Sequence, residues 1–220
     1  MKVGTDGVLL GAWAKCADQS NNLLDIGTGT GLIALMLAQR FPNLHITAIE
    51  ADADASDEAR ENVQKSPFAH QIEIKHQTLQ TFSNEGQKFD TIVCNPPFFE
   101  GVFESNSARQ FARHIQVLPP ELLLKLVGQL LSSNGIGNII YPFELLERVE
   151  NAMAKQKLYI LNQTHVLATA DSKKPERVLI SFGKSKKEKE IDQIAIETSR
   201  HVYTHEYWQL TKSFYQKMKD

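Results

Sequence analysis

The residues Asn22-Leu23-Leu24-Asp25-Ile26 run directly into Gly27-Thr28-Gly29-Thr30-Gly31 and then into an apolar stretch from Leu32 to Arg40. No other segment restricts the fold so tightly. A short apolar run, a glycine-rich turn and a longer apolar run read as strand, loop and helix. Glycines let the backbone approach a ligand closely, and a helix N-terminus offers unpaired N–H groups. In an open α/β sheet such a loop lies just beyond the carboxyl end of its strand, where ligands bind. The spacing is G-x-G-x-G, and Leu32 stands where the dinucleotide fingerprint has its third glycine, which weakens a nicotinamide or flavin reading.

The rest of the chain alternates in the same way. His45 to Ile49 reads as a second strand that ends at Glu50, at the distance from the loop where a carboxylate grips a ribose diol. A charge-laced helix follows from Asp52 to Lys65, then a third strand from Gln71 to Lys75. The turn at Gln77-Thr78 would flank an adenine ring in a cofactor pocket. Lys88 to Cys94 is a fourth strand, stopped by the prolines of Asn95-Pro96-Pro97-Phe98. Pro119 to Leu131 and Pro142 to Lys155 read as helices around a fifth strand, Gly135 to Tyr141. Leu158 to Ala168 and Arg177 to Phe182 have no room for a helix between them, so they form an antiparallel hairpin. Alternation implies a parallel sheet with right-handed crossovers. The expectation is an α/β fold of seven strands, mostly parallel, with an antiparallel hairpin at the edge. Tyr203 to Met218 reads as an aromatic-rich packing helix.

At 220 residues the chain suits one domain spanning 1–220. The formal net charge is −2, so nucleic-acid binding must come from local basic patches. Cys16 and Cys94 stand far apart, which speaks against a disulfide framework or a zinc site, and no metal is expected. No apolar run is long enough to span a membrane and no signal peptide precedes the domain, so a cytoplasmic enzyme is expected; the residues leave the oligomeric state open, with a monomer favoured.

Asn95-Pro96-Pro97-Phe98 is the segment best suited to chemistry. Two prolines fix two φ angles and push Asn95 out of the helical region. That leaves a rigid rim with the Asn95 amide, the Pro96 carbonyl and the Phe98 ring. An exocyclic base amine is a poor nucleophile because its lone pair is delocalised into the ring. Two acceptors holding its hydrogens would favour a pyramidal nitrogen and stabilise the positive charge that grows as a methyl group arrives. Phe98 would stack on the base. Asp25, ahead of the glycine loop, suits a cationic donor such as S-adenosylmethionine better than a pyrophosphate. Asn95 lies close enough to such a donor to count among its contacts as well.

The irregular stretch Phe99 to Leu118 carries Arg109, Arg113 and His114 and reads as a substrate-side lid. With Lys173, Lys174, Lys184, Lys186 and Lys187, its arginines lean toward an RNA substrate. The same rim could hold a protein glutamine amide or an adenine in rRNA or DNA. A cofactor-binding scaffold without catalysis is a further alternative.

The run Lys2-Val3-Gly4-Thr5-Asp6-Gly7-Val8-Leu9-Leu10-Gly11-Ala12-Trp13, with the glycine loop and Asn95-Pro96-Pro97-Phe98, resembles the bacterial tRNA1(Val) adenine-37 N(6)-methyltransferase family. Pro175 to Leu179 and Phe214-Tyr215 resemble its C-terminal pattern. The resemblance implies a Rossmann-like S-adenosylmethionine methyltransferase sheet and a valine tRNA substrate. It implies base contacts from Asn95, Pro96 and Phe98. It implies cofactor contacts from Asp25, Gly27, Gly29, Gly31 and Glu50, with Thr5 and Asp6 closing the methionine end. Family members extend N-terminally before this opening, and they carry Asp after the third strand where this chain has Thr78.

Overall fold

The computed structural model describes residues 4–18, 20–97 and 118–215. Helix α1 (Thr5–Trp13) precedes β1 (Asn22–Ile26), α2 (Leu32–Arg40), β2 (His45–Glu50), α3 (Ala53–Gln64) and β3 (Ile72–His76). A short α4 (Leu79–Phe82), β4 (Phe89–Cys94), α5 (Pro120–Leu130), β5 (Leu131–Pro142) and α6 (Leu146–Lys155) come next. The chain continues with β6 (Tyr159–Thr169), β7 (Arg177–Gly183), β8 (Glu190–Ser199), β9 (Val202–Tyr203) and α7 (His205–Thr211).

The described strands form one sheet in the order β3-β2-β1-β4-β5-β7-β6-β8-β9. Strands β3, β2, β1, β4 and β5 are all parallel. Helices cover both faces, so the central strands are buried throughout; four of the five residues of β1 are buried. On one face, Phe82 and Phe89 meet with ring centroids 5.9 Å apart, beneath α5 and α6. On the other, α1 and α2 pack over Leu23, Ile46, Val93 and Ile140. Burying each such large apolar side chain contributes about 2 kcal/mol.

The α/β class is as expected, but the sheet has nine strands rather than seven. Strand β7 is antiparallel to both β5 and β6, which gives the hairpin. The hairpin does not end the sheet, because β8 adds beside β6 in parallel and β9 follows antiparallel to β8. The segment Glu190–Ser199 is only half-buried, so its apolar alternation is weak, and the lysine run before it hides the strand. The aromatic segment near the C-terminus packs as expected: Tyr207 in α7 is buried against Tyr203 at 5.1 Å.

Candidate active site

Four parallel strands deliver their carboxyl ends to one rim. Ile26 pairs with Ile49 on one side and Cys94 on the other, and Glu50 pairs with His76. Gly27, Glu50, Gln77 and Asn95 therefore leave the sheet side by side.

The glycine loop folds back over β2. The Gly27 and Thr28 amides donate to the Ile49 carbonyl at 2.9 and 3.1 Å. Gly27 has φ 68°, where an L side chain is strained, and a Cβ placed there would meet nothing within 4 Å. The loop thus borders open room at that point. Glu50, 9% exposed, accepts from the Gly29 amide at 2.8 Å through Oε2 and from the Asp52 amide at 3.0 Å through Oε1. Its carboxylate joins the loop to the start of α3, which Asp52 caps by accepting from Ala55.

Asp25 is fully buried beneath the loop. The Thr28 hydroxyl donates to its Oδ2 at 2.6 Å, and Oδ1 has no partner. Burial pushes the Asp25 carboxyl up to about 7; the Thr28 hydroxyl and the Ala34 backbone amide work against that rise, and the charge of Glu50 adds to it.

Asn95 is partly exposed at the end of β4, Pro96 is buried and Pro97 is exposed. Among the described residues the Asn95 amide makes no hydrogen bond. Helix α1 forms its wall. A Cβ on Gly7 would lie 3.2 Å from Leu32 Cδ2 and 4.0 Å from Asn95 Nδ2. One turn on, a Cβ on Gly11 would stand 2.7 Å from Met36 Sδ, so a larger residue there would force the Met36 side chain to move. The far end of α1 is fixed by Trp13 Nε1 donating to Thr164 Oγ1 and by two hydrogen bonds between Asn138 and the Lys15 backbone.

Thr5 is exposed at the first residue of α1, and Asp6 in the same turn accepts from Arg177 Nε at 3.0 Å. Thr78 is exposed and caps α4, accepting from the Thr81 amide at 3.2 Å, so its hydroxyl serves the helix first. Phe98, Arg109, Arg113, His114 and the expected lid lie outside the described residues. Lys173 and Lys174 occupy the turn between β6 and β7, three and four residues before Arg177, at the same rim as Asn95.

Lys184, Lys186 and Lys187 do not join them. Strand β7 runs antiparallel, so Gly183 ends it beside Tyr159, at the opposite rim of the sheet. One RNA face built from all of these lysines is therefore not formed. The sequence reading gave no part to Gly7, and none to Arg177 beyond a motif. The glycine pair Gly7 and Gly11, one helical turn apart, was the available signal for the first. The pairing of Asp6 with Arg177 spans 171 positions and leaves no local signal.

Among the described residues no group of His, Cys, Asp and Glu could hold a metal ion, and no helix is long and apolar enough to cross a membrane.

Residues 5–130 match the family model described as "Methyltransferase small domain". A protein of Flavobacterium psychrophilum named tRNA1(Val) (adenine(37)-N6)-methyltransferase is 44% identical over 220 residues, covering 99% of this chain and 94% of that protein. One of the same name from Bacteroides fragilis is 43% identical over 99% of this chain and 92% of its own length. Among solved structures, a predicted O-methyltransferase from Agrobacterium tumefaciens superposes with a TM-score of 0.72 at 16% identity, over 94% of this chain and 96% of that one. At that identity the match speaks to the fold alone.

Proposed function

The chain belongs to the tRNA1(Val) (adenine(37)-N6)-methyltransferase family, and we propose that it transfers a methyl group from S-adenosylmethionine to the exocyclic amine of adenine 37 in a valine tRNA. The observation that carries this reading is the unbonded Asn95 amide at the rim, one strand away from the glycine loop and walled by Gly7.

The rim residues fit the donor. Open room above Gly27 admits a ligand against bare backbone. The unpartnered, buried Asp25 Oδ1 gives a carboxylate that gains from a nearby positive charge. Glu50 stands at the end of β2, each of its oxygens retaining a lone pair for a ribose hydroxyl. Gly27, Gly29, Gly31, Glu50 and Asp25 would hold the cofactor, with Thr5 at the start of α1 and the backbone at Thr78 bordering it. When bound, the sulfonium supplies an activated methyl group.

The chain's own residues do the rest by position and charge. Asn95 Oδ1 and the Pro96 carbonyl accept the two hydrogens of the adenine amine. These acceptors sit on a segment stiffened by two prolines, so they need no reorganisation as charge develops on nitrogen. No general base is required before transfer, because the amine proton becomes acidic only once the methyl is attached. Asn95 Nδ2 lies on the α1 side, which leaves the oxygen for the substrate. Lys173 and Lys174 at the same rim would meet phosphates next to the target loop.

Nucleoside mass spectrometry of tRNA digested after incubation with protein and S-adenosylmethionine tests the proposal. N6-methyladenine at position 37 of valine tRNA is expected. Label confined to protein glutamine would replace the RNA reading with a protein one.

A further inference from the structure

Two of the lysines that the active-site rim leaves out, Lys186 and Lys187, line a groove of their own. Lys157, Lys186, Lys187 and Lys189 surround a cavity of about 320 Å³ floored by Met153, Leu158, Tyr159 and Ile160. Glu150 is the acidic residue of that lining, and Lys189 Nζ is bonded to it at 2.9 Å. Lys184 is close enough to Lys88 for the second ammonium to help lower the first, after burial. Lysines thus outnumber acids at this rim, where Glu150, Glu188 and Glu190 are the nearby carboxylates, in a chain whose formal net charge is −2. Tyr159 is 36% exposed at the groove wall.

Lys157 adds a second kind of observation. The Leu158 amide donates to the Met153 carbonyl at 3.0 Å and the Lys157 amide to Ala154 at 3.1 Å, the two bonds of a Schellman turn closing α6. The residue in Lys157's place in that turn is left-handed, and here φ is 54°. Glycine is favoured there. A lysine at a position that favours glycine, lining the groove, carries local backbone strain.

We propose that this groove is a second contact for the sugar-phosphate backbone of the RNA, taking a part of the substrate outside the target loop. The inference rests on the tRNA reading above. Phosphates satisfy the lysines, and the apolar floor with Tyr159 accepts a ribose or an unstacked base. The spacing suits it. Asn95 follows Cys94, which lies level with Gln163 across β5 and β7, four residues above Tyr159. Strand rise and strand spacing put the two sites roughly 20 Å apart on opposite rims of the sheet, a distance a phosphate backbone running along the flank of the protein can cover. An acidic protein segment would satisfy the charges but not use a spacing set by the target adenine.

The test compares wild type with Lys186→Glu/Lys187→Glu and with the milder Lys186→Ala/Lys187→Ala, using full-length valine tRNA transcript in filter binding from 50 to 300 mM salt. Lys186 and Lys187 are both exposed, and calorimetry with S-adenosylmethionine checks that the fold is kept. The expected result is at least a tenfold loss of tRNA affinity for the glutamate pair. For the alanine pair, the slope of log affinity against log salt should become shallower by about 1.5. Unchanged affinity and slope in both variants, with wild type binding tRNA, would overturn this inference alone. Failure of wild type to bind tRNA would overturn the tRNA reading and this one with it. Displacement of the RNA by polyglutamate at equal charge would assign the groove to an acidic protein instead.

Discussion

Asp6 and Arg177 lie 171 positions apart and meet at 3.0 Å through Oδ2 and Nε, fastening the first turn of α1 to the start of β7. The next residue after Asp6 is Gly7, which stands against Asn95. The pair therefore fastens the helical turn that borders Asn95, the residue proposed to hold the target amine. Both side chains are about a third exposed or less, so the pair adds little to global stability, under about 1 kcal/mol.

Arg177→Ala should lower the unfolding free energy by no more than about 1 kcal/mol in urea titration. It should reduce kcat by roughly tenfold, because a small displacement of a positioning wall is costly in rate. The reversed pair Asp6→Arg with Arg177→Asp should recover part of that loss. A rise in KM alone, with kcat untouched, would remove this role from the pair.

Asp25 makes stability and cofactor binding depend on pH in opposite senses. Its folded carboxyl sits at about 7 against an ordinary 3.8, so the folded protein binds the extra proton. The stability tied to that proton is fully present below the ordinary value and is lost as pH rises through about 7. The loss runs at up to about 1.4 kcal/mol per pH unit. Asp25→Asn should be flatter between pH 4 and 7 and more stable than wild type at pH 8. A cationic donor favours the ionised form, so wild-type affinity for S-adenosylmethionine should rise from pH 6 to pH 8. Calorimetry in buffers of different ionisation enthalpy should register up to one proton released. Equal affinity and no proton release across that range would contradict the assignment.

Gly27→Val tests the open room above the loop. The left-handed φ of 68° makes a side chain cost about 1–2 kcal/mol in stability, and the side chain would enter the open space proposed for the donor. Affinity for S-adenosylmethionine should fall by more than tenfold in calorimetry while the melting temperature drops by a few degrees. Affinity preserved alongside lowered stability would place the donor elsewhere.

Lys157→Gly should stabilise the protein by about 0.5–1 kcal/mol in urea titration, since glycine relieves the left-handed backbone at the end of α6 at some cost in chain entropy. A loss of stability would show that the turn does not strain the lysine.

Much of the fold is legible because parallel strands covered on both faces are continuous apolar runs, as in Leu23-Leu24-Asp25-Ile26 and Thr91-Ile92-Val93-Cys94. The glycine loop and Asn95-Pro96-Pro97 are local signals and land together at one rim. Strand β8 is not legible in the same way, because its place comes from pairing with β6, more than twenty residues earlier. Lys186 and Lys187 illustrate a topological limit. They follow β7 in sequence just as Asn95 follows β4, yet β7 runs the other way and delivers them to the opposite rim. Thr78 shows a third case, in which a hydroxyl beside the proposed cofactor pocket also caps a helix by accepting from the Thr81 amide.

Single-turnover methyl transfer to valine tRNA by Asn95→Ala, measured beside its calorimetric affinity for S-adenosylmethionine, tests the central claim most directly. The account predicts transfer slowed by at least a thousandfold, about 4 kcal/mol of lost charge stabilisation, with donor affinity within about threefold of wild type. Transfer at a rate near that of wild type would contradict it, since the amine would then be held by something other than the Asn95 amide.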